Sequence, residues 1–518
     1  MTICMILSAV LISLGGIASM TRQAQMLQQN SYFPSRYLKW LKGERTPKIY
    51  VSALSLVLTA LLILFKSDIM CLIFSAISFI VRLYYAILTQ KQSIKKLVFT
   101  ARVKRQYATA VIMFAVISTF GCIYNIRLLL ILGTVLSYIP ALTVLLVRFL
   151  NTPAESAVTQ WYVNDAKKKL REHSGLTVIG VTGSYGKTST KYVLEAFLSQ
   201  KYNVLITPQS FNTPMGIVRT VRGSLRPETQ IFIAEMGAKK TGDIKEICDI
   251  ANPNFGVITS VGPQHLDTFH SMENVTKTKF ELADYVLKSG GTVFLNTDNE
   301  LIAERARLMP SVSYGTNGDV SYKNVKYSEK GMSFDVAYNG GEIHIVTKLL
   351  GLHNVINITA ATAVALKLRV APCDIAYAAA KLRPVEHRLQ LKSFIGGSLM
   401  LDDAYNANPV GSLEACRVLS QFEGKKKIII TPGLVELGEK EYDCNFELGR
   451  AAAKAADILV FVGKNRAIPL IDGAQKEKFS GEMHTAESFK DAVSIISVSL
   501  KPDTVVLVEN DLPDNYLK

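Results

Sequence analysis

The stretch GVTGSYGKTST, from Gly180 to Thr190, decides the fold of the larger part of this 518-residue chain. The run TVIGV ahead of it reads as a strand, and KTSTKYVLEAFLSQK behind it reads as a helix. A glycine-rich turn at such a junction offers the backbone N–H groups of Gly183 to Thr188, with a helix N-terminus, to a polyphosphate. Lys187 is spaced to reach the β- and γ-phosphates, and the Thr188 hydroxyl to meet Mg2+. Gly183, Ser184, Gly186, Lys187, Thr188 and Ser189 are therefore the candidate ligands of ATP with Mg2+. One departure stands out: the position that usually holds the first glycine of such a loop is Val181, with Gly180 before it.

Outward from the loop, TQIFIAEMG, FGVITSVG and GTVFLNTD are short apolar runs ending at Gly or Asp, with TKTKFELADYVLK among the helical stretches between them. Strands alternating with helices predict a parallel α/β sheet. A second series, SLMLDDAYNANP, KKIIITPGL, DILVFVG and TVVLVEN, predicts another small α/β domain from about residue 385. Glu235 falls at the end of a buried strand, where a carboxylate is costly unless it meets a cation. His265 follows the next strand, and Lys279 lies fourteen residues later. Each has a plain alternative: Glu235 paired with a lysine, His265 a satisfied loop histidine, Lys279 a solvated helix lysine. The convergence of strand ends on one edge of a parallel sheet favours a ligand site.

Upstream the texture is different. Five apolar runs, about 3–20, 49–65, 69–89, 107–126 and 128–147, have the length to span a hydrocarbon core or nearly so. Residues 1–150 carry sixteen Lys/Arg against Glu44 and Asp68, so nearly all of the +15 net charge sits there. The basic residues concentrate in the first and third connecting loops, which the positive-inside rule places in the cytosol. The N-terminus then lies outside and everything after Arg148 inside, at a bacterial inner membrane. Arg82, within the third run, is expected to snorkel to the interface. The basic surplus belongs to the membrane region, which argues against nucleic acid as a partner. Seven scattered cysteines with no CxxC pair argue against disulfides or a zinc site.

Ten segments in register carry a resemblance: TGSYGKTST, SFNTPMGI, EMGAKKTGDI, VGPQHLDTF with KTKFE, LNTDNE, SYGTN, LLGLHNVINITAA, PVEHRLQ, DDAYNANP and LVELG. Together they resemble the Mur ligase family, in the MurF-like forms EMG and DDAYNANP. The resemblance implies a P-loop Mur-ligase central domain (176–384) and a C-terminal Rossmann-like α/β domain (385–518), which follow the multi-span α-helical membrane region (1–150) and linker helix (151–175) that the apolar runs predict. It implies an ATP-dependent, ADP-forming ligase that phosphorylates a carboxylate and lets an amine attack the acyl phosphate. By position, Thr188 and Glu235 would hold one Mg2+, and His265 a second. Lys279 matches a lysine that is carbamylated in the family and so becomes an anionic metal ligand. Asn296, His353, Asn354 and Asn357 match the adenine side, Arg388 the γ-phosphate contact, and Asp403 the ribose contact. Tyr405, Asn406 and Asn408 would shape the closed site, and Asn212 and Thr213 would face the carboxylate substrate.

The resemblance stops before residue 176. Family members begin with a soluble domain that grips the UDP part of their substrate, and apolar runs stand in its place here. The expected partners are a small-molecule amine (an amino acid or dipeptide), a carboxylate acceptor carried on UDP or on a lipid, and membrane lipid. Asn445 also stands where a histidine is common in the family. Two other function classes were weighed: a non-catalytic nucleotide-binding scaffold, opposed by the retained site residues, and an ATP-driven transporter, opposed by the ligase character of the motifs.

Overall fold

The computed structural model describes residues 3–30, 32–43, 67–92, 96–124, 140–208, 211–263, 266–328, 331–384, 389–404, 409–435, 437, 440–463 and 466–510. The chain forms two compact units, Met1–Tyr162 and Val163–Lys518.

The first unit is helical, with helices Ile3–Gln29, Pro34–Gly43, Asp68–Gln92, Ala101–Tyr124 and the start of Pro140–Glu172. Among the described residues two helices, not five, are long and apolar enough to cross a membrane: Ile3–Gln29 and Asp68–Lys91. The expected run 49–65 and most of 128–147 lie outside the described residues, and the run 107–126 ends outside them. The two long helices turn aliphatic side chains outward: Ile6, Leu7, Val10, Ile73, Ile77 and Ile80 are exposed. Their inner side mixes apolar residues such as Met5, Ala9 and Ile12 with Ser8 and Ser75, which donate to the carbonyls of Cys4 and Cys71 one turn back. Exposed aliphatic faces with small polar residues between helices suit a hydrocarbon solvent. Arg82 does not snorkel. It is 4% exposed and packs on Gly15 of the first helix, where an added Cβ would sit 3.3 Å from its Cδ. The missing side chain at Gly15 makes the room that keeps this arginine between helices.

The second unit is built on two sheets. The larger has strand order β2-β3-β1-β4-β5-β6-β7-β8-β9, with β1 Thr177–Thr182, β2 Val204–Ile206, β3 Ile231–Glu235, β4 Phe255–Ile258, β5 Thr292–Asn296, β6 Val312–Gly315, β7 Val320–Ser328, β8 Gly331–Tyr338 and β9 Gly341–Thr347. Strands β1 to β6 pair in parallel, as the alternation of strands and helices predicts. The antiparallel β7–β8–β9 meander is an addition that the sequence reading left out. Helix Lys187–Leu198 buries Val193, Leu194, Phe197 and Leu198, a spacing that keeps one face on the sheet. The smaller sheet runs β10-β11-β15-β12-β13-β14, with β10 Gln390–Ser393, β11 Leu399–Asp403, β12 Lys426–Thr431, β13 Ile458–Val462, β14 Glu482–Ala486 and β15 Thr504–Glu509. Only β10 pairs antiparallel in it.

Register aligns the strand ends that matter. Val181 pairs with Glu235 and Thr182 with Ile258, so the chain leaves three neighbouring strands at one level. Phe294, fully buried in β5, is part of the core behind that edge. Phe294→Ala is expected to destabilise this unit by about 3–5 kcal/mol, read as a lower urea midpoint with an unchanged slope.

Candidate active site

The loop after β1 is pinned to the end of β4. Gly183 has φ +152, and a Cβ there would lie 2.1 Å from the Thr259 hydroxyl oxygen and 3.0 Å from the Ser260 nitrogen. Only glycine fits so close an approach. Ser184 N donates to Ser260 O at 2.8 Å, and Tyr185 N donates to the Ser260 hydroxyl at 2.9 Å. This corrects the expectation that every N–H from Gly183 to Thr188 faces a phosphate. Two of these donors brace the loop, which leaves the Gly186–Thr188 end, at the start of a helix, to bind an anion. The Lys187 ammonium donates to the carbonyls of Gly183 (2.7 Å) and Ser184 (3.0 Å), so it lies folded over the loop. Burial pushes its pKa down, partly offset by the Glu235 carboxylate. Ser189 occupies the first turn of the same helix, half-buried.

Glu235 is 1% exposed and forms the centre of a network. Its Oε2 accepts from the Thr188 hydroxyl at 3.0 Å and from the Lys191 ammonium at 3.0 Å; its Oε1 accepts from Asn212 Nδ2 at 3.1 Å. Lys191, 0% exposed, also donates to the Thr207 carbonyl at 2.9 Å. The plain alternative for Glu235, a lysine partner, is thus realised. Sequence reasoning missed that lysine because its spacing from Lys187, one helical turn, looks like an ordinary helix position. Asn212 holds the carboxylate, and Thr213 caps helix Pro214–Ser224 by accepting from Gly216 N at 3.2 Å.

Lys279, on helix Met272–Lys288, is 2% exposed and so is not a solvated lysine. Its pKa is lowered to about 7, first by burial and then by the Lys187 charge, against opposing pulls from Asp243 and Glu281. The two carboxylates are themselves fixed. Asp243 accepts from the N–H groups of Lys239 and Lys240, and Glu281 from those of Gly242 and Lys245.

Asn296 ends β5 and donates to Thr259 O at 2.8 Å, while its Oδ1 accepts from Asp298 N at 3.1 Å. Asn354 donates to Leu350 O at 2.8 Å, and His353 is exposed at the start of helix Leu352–Lys367. Asn357, expected on the adenine side, is buried behind the loop. It accepts from the Thr190 hydroxyl at 3.0 Å and would meet a Cβ on Gly186 at 2.8 Å. In the smaller sheet Asp403 accepts from Leu389 N at 3.0 Å and is paired in register with Glu509. Glu509, which sequence reasoning did not single out, is fully buried beside Asp403 and bonded to the Ser412 hydroxyl. Burial, then the Asp403 charge, raises its pKa well above the ordinary carboxylate value. Asn445 braces the LVELG turn, exchanging hydrogen bonds with Leu434 N (2.7 Å) and Leu434 O (3.0 Å). The expected site residues His265, Arg388, Tyr405, Asn406 and Asn408 lie outside the described residues.

The donor set suits Mg2+ bound through a nucleotide. Among the described residues no cluster of three or more His, Cys, Asp or Glu could cage a metal alone. A threonine hydroxyl and a carboxylate 3.0 Å apart are hard oxygen donors, and Mg2+ commonly takes one or two such ligands and completes its shell with phosphate and water. The Lys191 ammonium on the same carboxylate oxygen shows that the pocket accepts positive charge there.

Comparison with known proteins agrees with this geometry. Residues 181–365 match the Mur ligase middle domain, and residues 387–509 match the Mur ligase, glutamate ligase domain. The chain is 32% identical over 314 residues to the UDP-N-acetylmuramoyl-tripeptide–D-alanyl-D-alanine ligase of Bacillus subtilis, covering 60% of this chain and 67% of that one. It is 34% identical over 360 residues to the same-named ligase of Mycobacterium tuberculosis, covering 65% and 70%. Among solved structures it matches MurF from Acinetobacter baumannii (TM-score 0.58, 27% identity, 67% of this chain and 76% of that one). It also matches MurF of Thermotoga maritima in complex with ADP (TM-score 0.57, 27% identity, 69% and 81%).

Removing one member of a buried ion pair strands the other charge. Lys191→Met is therefore expected to destabilise the unit by about 3–5 kcal/mol. A Lys191→Met/Glu235→Gln double variant should recover part of that loss in thermal unfolding. A double variant as unstable as the two single losses summed would show that the pair is not coupled.

Proposed function

The chain belongs to the Mur ligase family and is an ATP-dependent, ADP-forming peptide ligase, and from that premise we propose that it joins a carboxylate acceptor to an amine at the cytosolic face of a bacterial inner membrane, in cell-envelope synthesis. The observation that carries the reading is the Glu235 network at the mouth of the loop, with a second buried lysine, Lys279, that feels the charge of Lys187.

In this reading ATP with Mg2+ supplies the phosphoryl group and the charge neutralisation that its transfer requires. Thr188 and Glu235 provide the oxygen donors for one ion. Lys191 and Asn212 hold Glu235 in place, and Lys187 swings from the loop carbonyls to the β- and γ-phosphates. Asp403, paired in register with Glu509, takes the ribose. His265 serves a second Mg2+, Arg388 contacts the γ-phosphate, and the acceptor carboxylate becomes an acyl phosphate before the amine attacks.

Lys279 has a distinct part. A lysine can add to CO2 only as the neutral amine, forming an N–C bond and losing a proton. A pKa of about 7 leaves a large neutral fraction at cytosolic pH. The product is an anion, which relieves the repulsion between Lys279 and Lys187 and gives a carboxylate suited to Mg2+. The sign follows from the lowered pKa: below about 7 the ammonium form dominates, carbamylation fails and turnover falls.

The amine is D-alanyl-D-alanine, or a similar amino acid or dipeptide, as the names of the relatives suggest. The acceptor is a muramoyl peptide or another envelope carboxylate. The two membrane-length helices and their exposed aliphatic side chains favour an acceptor carried on lipid over one carried on UDP.

ADP release by the full chain in lipid tests the reading. It should require both acceptor and amine, and should fall at least a hundredfold in Lys187→Ala. ADP release indifferent to the amine would sink the proposal. With 13C-bicarbonate the wild type should show a carbamate resonance that Lys279→Ala lacks, and its turnover should decline as pH drops through about 7.

A further inference from the structure

Neither the ligase chemistry nor the apolar packing accounts for a polar cavity in the first unit. It has a volume of about 370 Å3 and lies between helix Ala101–Tyr124 and the Pro140–Glu172 helix. Arg102 and Gln106 line it from the first helix; Arg148, Asn151, Glu155 and Thr159 line it from the second. The spacing 148, 151, 155, 159 puts the latter four on one helical face.

Its charge balance is positive. Glu155 is engaged mainly by Arg105, at 2.7 and 2.9 Å, with Arg102 Nε farther away at 3.6 Å. Arg148 spends its Nε on the Tyr32 carbonyl at 3.1 Å. Glu155 is thus shared by two arginines, and the Arg148 guanidinium faces the cavity with no ion-pair partner among the described residues. Gln106 is 3% exposed, and its Oε1 has no hydrogen-bond partner among the described residues. A buried amide left partly unsatisfied beside two arginines marks a place where a polar ligand belongs. Arginine forks suit phosphate oxygens, and an amide beside them can accept from a phosphate hydroxyl or, turned over, donate to a phosphate oxygen.

Depth narrows the source of the phosphate. Phe149 and Leu150, next to Arg148, are 72% and 54% exposed, as is Ile112 (62%) two turns beyond Arg105. Basic residues and exposed apolar ones meet at this level, which is where lipid headgroups lie.

We propose that the cavity binds the phosphate of an amphiphile, a phosphomonoester or diphosphate headgroup on an apolar tail. The proposal rests on the reading of residues 1–150 as a membrane unit, and it assigns that unit a ligand. Isothermal titration calorimetry of the full chain in detergent reads occupancy directly. Titration with a prenyl diphosphate should saturate, and Arg102→Gln/Arg148→Gln should raise its Kd about tenfold or more. Gln106→Glu, which places a carboxylate in the cavity, should do the same, while Lys104→Gln, a charge change outside the lining residues, should not. Inorganic pyrophosphate should bind at least tenfold more weakly. Equal affinity for pyrophosphate would assign the cavity to a soluble anion and overturn the lipid source. Binding unaffected by all cavity substitutions would overturn the site itself. Vesicle flotation of the same variants separates the two readings: a chain that floats but binds without regard to the arginines refutes only the cavity, and a chain that does not float refutes the membrane unit.

Discussion

Everything at the candidate active site depends on a carboxylate held where water does not reach it. Glu235 ends a strand buried on both faces, and the sheet places it beside the first residue of the phosphate loop. A charge in that position is stable only because Lys191, Thr188 and Asn212 contact its two oxygens. The same constraint prepares it for a metal. The loop is fixed by Ser260 and Thr259, the helix by Asn357 against Thr190, and the carboxylate by the lysine. In the proposed reading an arriving Mg2+ would find the carboxylate already oriented, and the reorganisation would fall on the Thr188 hydroxyl and the two ammonium groups.

The second buried lysine complements the first. Lys191 lies against a carboxylate, at 3.0 Å from the Glu235 oxygen. Lys279 is buried and feels the Lys187 charge, and its pKa is lowered. Two buried lysines thus differ because of the charges nearest to them. Glu509 repeats the logic in the smaller sheet, where burial and then a neighbouring carboxylate raise its pKa.

The sequence made the loop legible because its spacing is a backbone property. Gly183 and Lys187 are read from adjacent positions, and the strand and helix around them have clear periodicities. Lys191 was not legible, since its partner is 44 residues away and only the sheet register brings them together. Asn357 was read as a ligand and proves to support the loop, a distinction that the residue type cannot make. The β7–β9 meander was passed over although Met332, Phe334 and Val336 alternate inward, because no motif drew attention to it. In the first unit, run lengths made the long apolar helices visible, but the burial of Arg82 depended on the missing side chain at Gly15 of another helix. The cavity at Gln106 likewise arises from two helices whose sequence separation hides their common polar face.

If Glu235 is a metal carboxylate held in place by Lys191, Mn2+ binding followed by electron paramagnetic resonance should require the nucleotide. It should be lost in Glu235→Gln, while ADP alone still binds. Equal Mn2+ binding in the wild type and Glu235→Gln would contradict that role for Glu235.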